Sequence, residues 1–162
     1  MRKQKAVLLI LIMILSCIAA GCSAEVTADI SDYGKTEIQI TGIKDKAFKI
    51  TPDQLADLKC TKASGEVEST KKTVTAVGPT LDTFLEQYGH GQTDYDEIIF
   101  IASDGYTTVL DNSYLTNHDS IILSVANGEK ALNDSEKPLR LLIPDGKSSD
   151  WTKMIVKIQF KK

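Results

Sequence analysis

The sequence predicts an α+β domain in which a mixed, mainly antiparallel β-sheet is accompanied by a few short helices. Short segments rich in Val, Ile, Thr and Phe, bounded by Gly, Pro, Asn and Asp, outnumber the helical segments. The helical segments that have recognisable start signals are also short. A chain of 162 residues, less its apolar N-terminal segment, is long enough for one ordinary domain and too short for two.

The first predicted elements are a strand and a short helix. Residues 36–41 (TEIQIT) alternate polar and apolar side chains, a pattern typical of a half-buried strand. Residues 48–50 lead into a helix start in which Thr51 is the cap, Pro52 the first helical residue and Gln54 the partner in a capping box.

Two further strands and a second helix follow. Residues 60–77 are rich in Val and Thr and predict two strands around a charged turn at 69–72. Residues 78–80 (GPT) interrupt this run. An amphipathic helix closed by Gly89 is then predicted from apolar residues at positions i, i+3, i+4 and i+7, namely Leu81, Phe84, Leu85 and Tyr88.

The C-terminal half predicts mostly strands. A short helical piece is expected at 113–115, a tight turn at Asn127-Gly128 and a polar loop at 144–150. The apolar runs that predict strands are residues 97–102, 106–110, 120–126, 139–143 and 154–160.

The N-terminus predicts secretion and lipid attachment. Three basic residues among the first five precede an uncharged, Leu- and Ile-rich stretch at 6–20 that is short for a membrane span. It ends in residues 18–22 (IAAGC), which resemble the lipobox of bacterial lipoprotein signals. We expect residues 1–21 to be a cleaved signal peptide and Cys22 to carry the lipid; an ordinary secretory signal and an uncleaved anchor are the alternatives.

The domain organisation follows from this leader. Residues 22–35 are small, polar and aperiodic and predict a flexible tether, and residues 36–162 form the domain. The expected location is extracytoplasmic, held on the cell membrane by the lipid. Without the three leader cations the net charge is about −6, which argues against nucleic acid or an anionic membrane surface as a partner.

Cysteine and histidine usage excludes several site classes. Cys17 lies in the leader and Cys22 is the lipidation site, so Cys60 is the one thiol left in the domain and no intramolecular disulfide can form. His90 and His118 stand alone in loop-like contexts and are expected at the solvated surface, which leaves no Cys/His metal framework. Nucleotide-binding and hydrolase motifs are absent from the sequence.

A distributed set of motifs resembles a known family. In order these are the opening strand with Thr41-Gly42, residues 50–55 (ITPDQL), 78–81 (GPTL), 103–106 (SDGY), 127–128 (NG), 138–144 (PLRLLIP), and Trp151 followed by a closing strand. Together they resemble the molybdopterin-binding domain of the sulfite oxidase type, over about nine tenths of the mature chain. The resemblance implies the same α+β fold.

The resemblance also implies a metal ligand that this chain does not supply at the expected place. In catalytic members a cysteine thiolate binds molybdenum at the end of the strand before the second helix, a position that falls near Ser69 or Thr70. Cys60 falls at the beginning of that strand, so it is either a metal ligand reached through a loop of different length or a small apolar residue at a strand edge. Asp150 stands where those members often carry a lysine, and an acidic residue there would repel an anionic pterin phosphate.

Four residues are the candidates for ligand binding. Asp104 and Tyr106 lie at a strand-to-strand corner and either line a cleft or merely form the turn. Arg140, the one arginine after the leader, sits in an apolar strand and needs a structural carboxylate or an anionic ligand. Trp151 is either a lid over a pocket or the plug of a sheet edge.

These observations favour a lipid-anchored binding or accessory module that lacks the molybdenum-ligating cysteine. Its partners would be the membrane, a small anionic ligand or a membrane redox protein, with molybdopterin implied as cofactor by the resemblance alone. One alternative is a molybdopterin-dependent oxidoreductase that uses Cys60 as its metal ligand. The other is a structural or protein-interaction lipoprotein.

Overall fold

The computed structural model describes residues 23–162, so the predicted signal peptide and Cys22 lie outside the described residues. The helices are α1 (Pro52–Ala56), α2 (Leu81–Glu86) and α3 (Asn112–Asn117), with short 3-10 turns at Gln92–Asp94 and Ser148–Asp150. The strands are β1 (Ser23–Ala24), β2 (Ile38–Thr41), β3 (Phe48–Ile50), β4 (Cys60–Val67), β5 (Lys72–Pro79), β6 (Glu97–Ala102), β7 (Thr107–Asp111), β8 (Ile122–Ser124), β9 (Ala126–Asn127), β10 (Lys130–Ala131), β11 (Arg140–Leu142) and β12 (Ile155–Lys161).

The strands form two five-stranded sheets and one two-stranded pair. The first sheet has the order β1-β4-β5-β9-β10 and is antiparallel throughout. The second has the order β3-β2-β12-β6-β7, in which only β2 and β12 run parallel. The strands β8 and β11 pair separately. One parallel pair among antiparallel ones is the mixed arrangement that the sequence predicts.

The core forms where the apolar faces of strands and helices meet. Strand β6 alternates outward and inward side chains, so that Ile98 and Phe100 are fully buried. Helix α2 buries Leu81, Phe84 and Leu85 in the same cluster. Helices α1 and α2 begin where the sequence predicts, and α3 begins one residue before the predicted piece at 113–115. At each start a side-chain oxygen accepts from a backbone N–H group that the first helical turn leaves without a partner. These caps are Thr51, Thr80 and Asp111.

Residues 23–35 are packed onto the domain, which differs from the predicted flexible tether. Strand β1 extends the first sheet, with Ser23 opposite Thr61 and Ala24 opposite Cys60. Three alternate side chains then pack against the patch formed by Cys60, Val77 and Ala126, namely Ala24, Val26 and Ala28. Their period of two marks an extended segment, but the side chains are so small that the segment resembles a polar linker in composition.

Tyr33 fastens the end of this N-terminal segment. It is 4% exposed, and its hydroxyl donates to the Val125 carbonyl oxygen at 2.7 Å and accepts from the Leu132 N–H at 3.0 Å. Beside Tyr33, Lys137 Nζ forms an ion pair with Asp32 Oδ2 at a distance of 2.6 Å. A buried tyrosine with both hydrogen-bonding roles filled holds a segment in one place.

Both histidines are half-buried, which corrects the expectation that they are solvated. The His118 ring stacks on Tyr114 with centroids 4.0 Å apart, and His90 lies against Tyr95.

Within residues 23–162, no helix is both long enough and apolar enough to cross a bilayer.

Candidate functional site

A buried ion pair between Arg140 and Glu136 lies at the centre of the candidate site. Arg140 sits on β11 between the buried residues Leu139 and Leu141, and alternation along the strand directs its side chain away from theirs. Its Nη1 lies 2.9 Å from Glu136 Oε1, and the two side chains are 2% and 7% exposed. Glu136 therefore supplies the carboxylate that a buried arginine needs.

Glu136 is held by several donors besides Arg140. Its Oε2 accepts from Asn127 Nδ2 at 2.6 Å, from Asn133 Nδ2 at 3.0 Å and from the Asn133 backbone N–H at 3.2 Å. Burial on its own would raise the pKa of Glu136. The Asn127 hydrogen bond and the charge of Arg140 outweigh burial, so the pKa of this carboxyl lies below its usual range.

A cleft of about 650 Å³ opens above this ion pair. Arg140 and Glu136 form its floor, and an adjoining hollow of about 520 Å³ shares both of them. Arg140 Nε is buried without a hydrogen-bond partner. The side chain with an exposed positive charge in the cleft is Lys153, whose Nζ lies 3.8 Å from Glu136 Oε1. The remaining lining residues are Val67, Glu68, Ser69, Val74, Ser148, Ser149 and Trp151.

Trp151 forms one wall of the cleft. It is 5% exposed, its Nε1 donates to the Ile143 carbonyl oxygen at 3.0 Å, and the Arg140 guanidinium lies 5.7 Å from the ring centroid. The indole packs against Gly65 of β4, where a Cβ atom would be 2.5 Å from two ring carbons. Trp151 is thus a fixed wall that also fills the space above the first sheet.

Asp104 and Tyr106 lie in a separate, smaller hollow beside the cleft. This hollow of about 240 Å³ is also lined by Ser149, Trp151 and Lys153. Asp104 accepts from the Tyr106 backbone N–H at 2.9 Å, the hydrogen bond of a turn. The Tyr106 hydroxyl donates to the Ser149 carbonyl oxygen at 2.9 Å. The structure therefore brings Arg140 and Trp151 together and places Asp104 and Tyr106 in an adjoining hollow that shares Ser149, Trp151 and Lys153 with the cleft.

Asp150 is not among the residues that line the cleft, although its neighbours Ser149 and Trp151 are. Its Oδ2 accepts from the Tyr114 hydroxyl at 3.0 Å, and burial followed by this contact raises the pKa of Tyr114. Tyr114 in turn sits against Gly146, where a Cβ would be 2.4 Å from its hydroxyl. Asp150 thereby fastens the loop 144–151, and Lys153 supplies the cleft with a positive charge.

Ser69 and Cys60 lie at opposite ends of the β4 region. Ser69 follows β4 and lines the cleft, whereas Cys60 begins β4 and is 2% exposed. Seven steps along a strand span about 23 Å. The Cys60 thiol lies 3.7 Å from the carbonyl oxygens of Leu55 and Ala56. Burial, with a smaller contribution from Asp57, raises its pKa to about 11, so it is a thiol and not a thiolate at neutral pH.

Comparison with known proteins identifies the family. The family model described as the oxidoreductase molybdopterin binding domain matches residues 25–162, which is most of the chain. The chain belongs to this family. A comparison with curated protein sequences finds no match.

Solved structures share the fold. The chain is similar to the sulfane dehydrogenase SoxCD from Paracoccus pantotrophus, with a TM-score of 0.62 and 16% sequence identity. The match covers 86% of this chain and 40% of that one, so this chain spans less than half of the length of the enzyme chain. The predicted α+β class, with mainly antiparallel mixed sheets of the sulfite oxidase type, is confirmed.

No thiol lines the cleft within the part of the chain that the structure describes. Cys60 is the one free thiol among residues 23–162, and it is protonated and about a full strand away from the cleft. Ser69, which with Thr70 is near the ligand position that the family resemblance implies, carries a hydroxyl whose proton is far harder to remove than that of a thiol. Within the same residues, no three His, Cys, Asp or Glu side chains converge as a metal site.

Sequence reasoning missed Glu136 and Lys153 as cleft residues. Both are charged residues in loop-like stretches, where most such side chains are solvated. A signal was present for Glu136, because it lies four residues before the one arginine of the domain and a buried arginine needs a carboxylate. Nothing in the local sequence marks Lys153.

Proposed function

We propose that this protein is a lipid-anchored extracytoplasmic binding module that holds a small organic anion in the Arg140 cleft without thiolate-ligated molybdenum. The observation that carries the proposal is the composition of the cleft. It combines an exposed cation, a buried arginine with a spare donor and an aromatic wall, whereas the thiol of the domain lies at the other end of β4.

The charges in the cleft favour a ligand with one anionic group. Glu136 is paired with Arg140 at 2.9 Å and lies 3.8 Å from Lys153 Nζ, so Lys153 is the exposed cation next to which a ligand anion would sit, and Glu68 lines the cleft as an exposed carboxylate. A buried donor without an acceptor costs roughly 1–3 kcal/mol, and a ligand oxygen that reaches Arg140 Nε would recover this energy.

The walls of the cleft favour a flat or apolar ligand body. Trp151, Val67 and Val74 supply apolar surface to the cleft. The hydroxyls of Ser69, Ser148 and Ser149 can both donate and accept, and they would orient polar edges of the ligand. A pterin-type or similar planar anion has this combination of properties.

Membrane attachment rests on the lipobox-like residues 18–22. A thiol at the first mature position is the group that receives the diacylglycerol, and two acyl chains hold a protein stably on a bilayer. Cys22→Ala is expected to abolish labelling by fatty-acid analogues and to leave the protein as released or unprocessed precursor. Labelling that is unchanged in this variant would refute the lipoprotein assignment.

The ligand is tested on protein purified from membranes of cells that make molybdopterin. Elemental analysis is expected to find far less than one molybdenum per chain, and native mass spectrometry is expected to find a retained small organic ligand. Lys153→Gln is expected to lower the retained fraction, whereas Lys161→Gln, a matched change at a surface lysine paired with Glu97, is expected to leave it unchanged.

Two outcomes would replace the proposal. Molybdenum near one per chain that is lost in Cys60→Ser would make the protein an oxidoreductase with Cys60 as its ligand. If native mass spectrometry finds no retained ligand in either the parent or Lys153→Gln, a structural or protein-interaction lipoprotein is favoured.

A further inference from the structure

The proposed lipid site is followed directly by residues that are paired in the first sheet. Ser23 is already paired with Thr61 in the first sheet, and Ala24 is paired with Cys60. A flexible linker of 13 residues would have a root-mean-square span of about 20 Å and would lift a domain off the membrane. The chain between Cys22 and β1 is instead a single peptide bond.

The segment after β1 is also packed on the domain and cannot act as a flexible linker. Ala24, Val26 and Ala28 pack on the patch formed by Cys60, Val77 and Ala126. Tyr33 then fixes the segment through two buried hydrogen bonds. Detaching residues 23–33 would expose this apolar patch and leave two backbone groups without partners, which opposes extension of the segment into a tether.

We infer that the domain lies directly against the bilayer through the edge of the first sheet formed by β1 and the start of β4. This inference rests on the proposed lipidation of Cys22. The surface that meets the lipid headgroups is the one around Ser23, Thr61 and Lys62, and its partner is the membrane that carries the anchor.

Charge does not explain this apposition. Two exposed lysines near β1, Lys59 and Lys62, are offset by two exposed acidic residues, Glu25 and Asp57. The contact therefore follows from the short covalent connection and is expected to be insensitive to salt.

The orientation has a consequence for access to the cleft. Lys62 is next to Thr61 on β4 and lines the hollow that shares Arg140 and Glu136 with the cleft. The same hollow is lined by Glu129 of the β9–β10 turn and by Lys130 of β10. The hollow therefore runs across the sheet from Lys62, beside β1, to the β9–β10 edge on the opposite side, so its Lys62 end lies nearer the bilayer than its Lys130 end.

The test measures how close two labelled positions are to lipid headgroups. The lipidated protein is placed in phosphatidylcholine vesicles that contain a headgroup quencher, with a fluorophore on Lys62→Cys or on Val109→Cys. Val109 is 51% exposed on β7, the edge strand of the second sheet. The parent chain taken through the same labelling controls for Cys60, which is buried.

We expect several-fold stronger quenching at position 62 than at position 109, unchanged between low and high salt. Insertion of 12 Gly and Ser residues between Cys22 and Ser23 is expected to remove most of the difference, since such a spacer spans about 19 Å. Equal quenching at both positions in vesicle-bound protein would overturn this inference and leave the lipoprotein proposal standing. A spacer that has no effect on the quenching would do the same. Protein that carries no lipid by mass spectrometry would overturn both the inference and the lipoprotein proposal.

Discussion

Gly65 and Trp151 occupy complementary space: a Cβ atom at position 65 would lie 2.5 Å from Cζ2 and Cη2 of the indole. Trp151 forms a wall of the cleft and packs on β4 at the same time. The absence of a side chain at one strand position thus decides where the aromatic wall of the site lies.

Gly65→Ala is expected to displace the indole. Overpacking of this kind costs roughly 1–3 kcal/mol, so the urea midpoint should fall, and the emission of Trp151, the single tryptophan, should change. Gly91→Ala is the control, since a Cβ there would meet only Asp82 Oδ1 at 3.6 Å. An unchanged midpoint and spectrum in Gly65→Ala would show that the ring does not pack on β4 in this way.

Removal of the Glu136 charge is expected to destabilise the domain at neutral pH. Glu136→Gln leaves Arg140 buried without its counter-charge, which costs roughly 3–5 kcal/mol. The free energy of unfolding is measured by urea titration at pH 7. Glu129→Gln, at an exposed position in the neighbouring turn, is the control and should change stability little.

The same ion pair predicts an acid-sensitive stability. Because the pKa of Glu136 is lowered on folding, its contribution is complete above the unfolded-state value near 4.5 and disappears as the pH falls through the lower folded-state value. The stability difference between the parent and Glu136→Gln should therefore shrink as the pH falls below about 4. A difference that stays constant from pH 7 to pH 3 would contradict the assigned ion pair.

The inner face of α2 is expected to dominate the energetics of that helix. Leu85 is fully buried in the main core, so Leu85→Ala should lower the free energy of unfolding by roughly 2–5 kcal/mol. Glu86→Ala, one position along the same helix and exposed, should change it by less than about 0.5 kcal/mol. Equal urea midpoints for the two variants would make the amphipathic assignment wrong.

Cys60 is expected to be nearly inert toward thiol reagents in the folded protein. With a pKa of about 11, its thiolate fraction at pH 7 is on the order of 10⁻⁴, so reaction should be at least about 100-fold slower than for an exposed thiol. Lys62→Cys, two residues along β4 and exposed, supplies the reference rate. Urea should restore the reactivity of Cys60, whereas rapid reaction in buffer would show that the thiol is exposed and ionised.

Local signals predicted the elements of this fold well. Thr51, Pro52 and Gln54 form the capping box in the structure as their order predicts. Asn127 pairs with Lys130 across a tight turn in which Gly128 adopts a φ of +64°. Both features depend on residues within four positions of each other, so the sequence contains all the information that decides them.

Local sequence signals could not predict contacts between distant segments of the chain. The docking of residues 23–35 depends on two hydrogen bonds of the Tyr33 hydroxyl. The Val125 carbonyl oxygen accepts one and the Leu132 N–H donates the other, and both residues are about 100 positions away along the chain. The interaction of Asp150 with Tyr114 likewise joins a 3-10 turn to helix α3, 36 residues away along the chain. Neither pairing leaves a periodic trace in the sequence.

The sequence by itself determined the α+β class, the order and type of the main elements, the family resemblance, and the presence of a single thiol in the domain. Each of these depends on composition, periodicity or nearest neighbours. Only the tertiary structure decided that Arg140, Glu136, Lys153 and Trp151 share one cleft and that Cys60 lies at the other end of β4. The physical reason is that a site is formed by side chains from different strands and loops, and their approach is decided by sheet register and core packing.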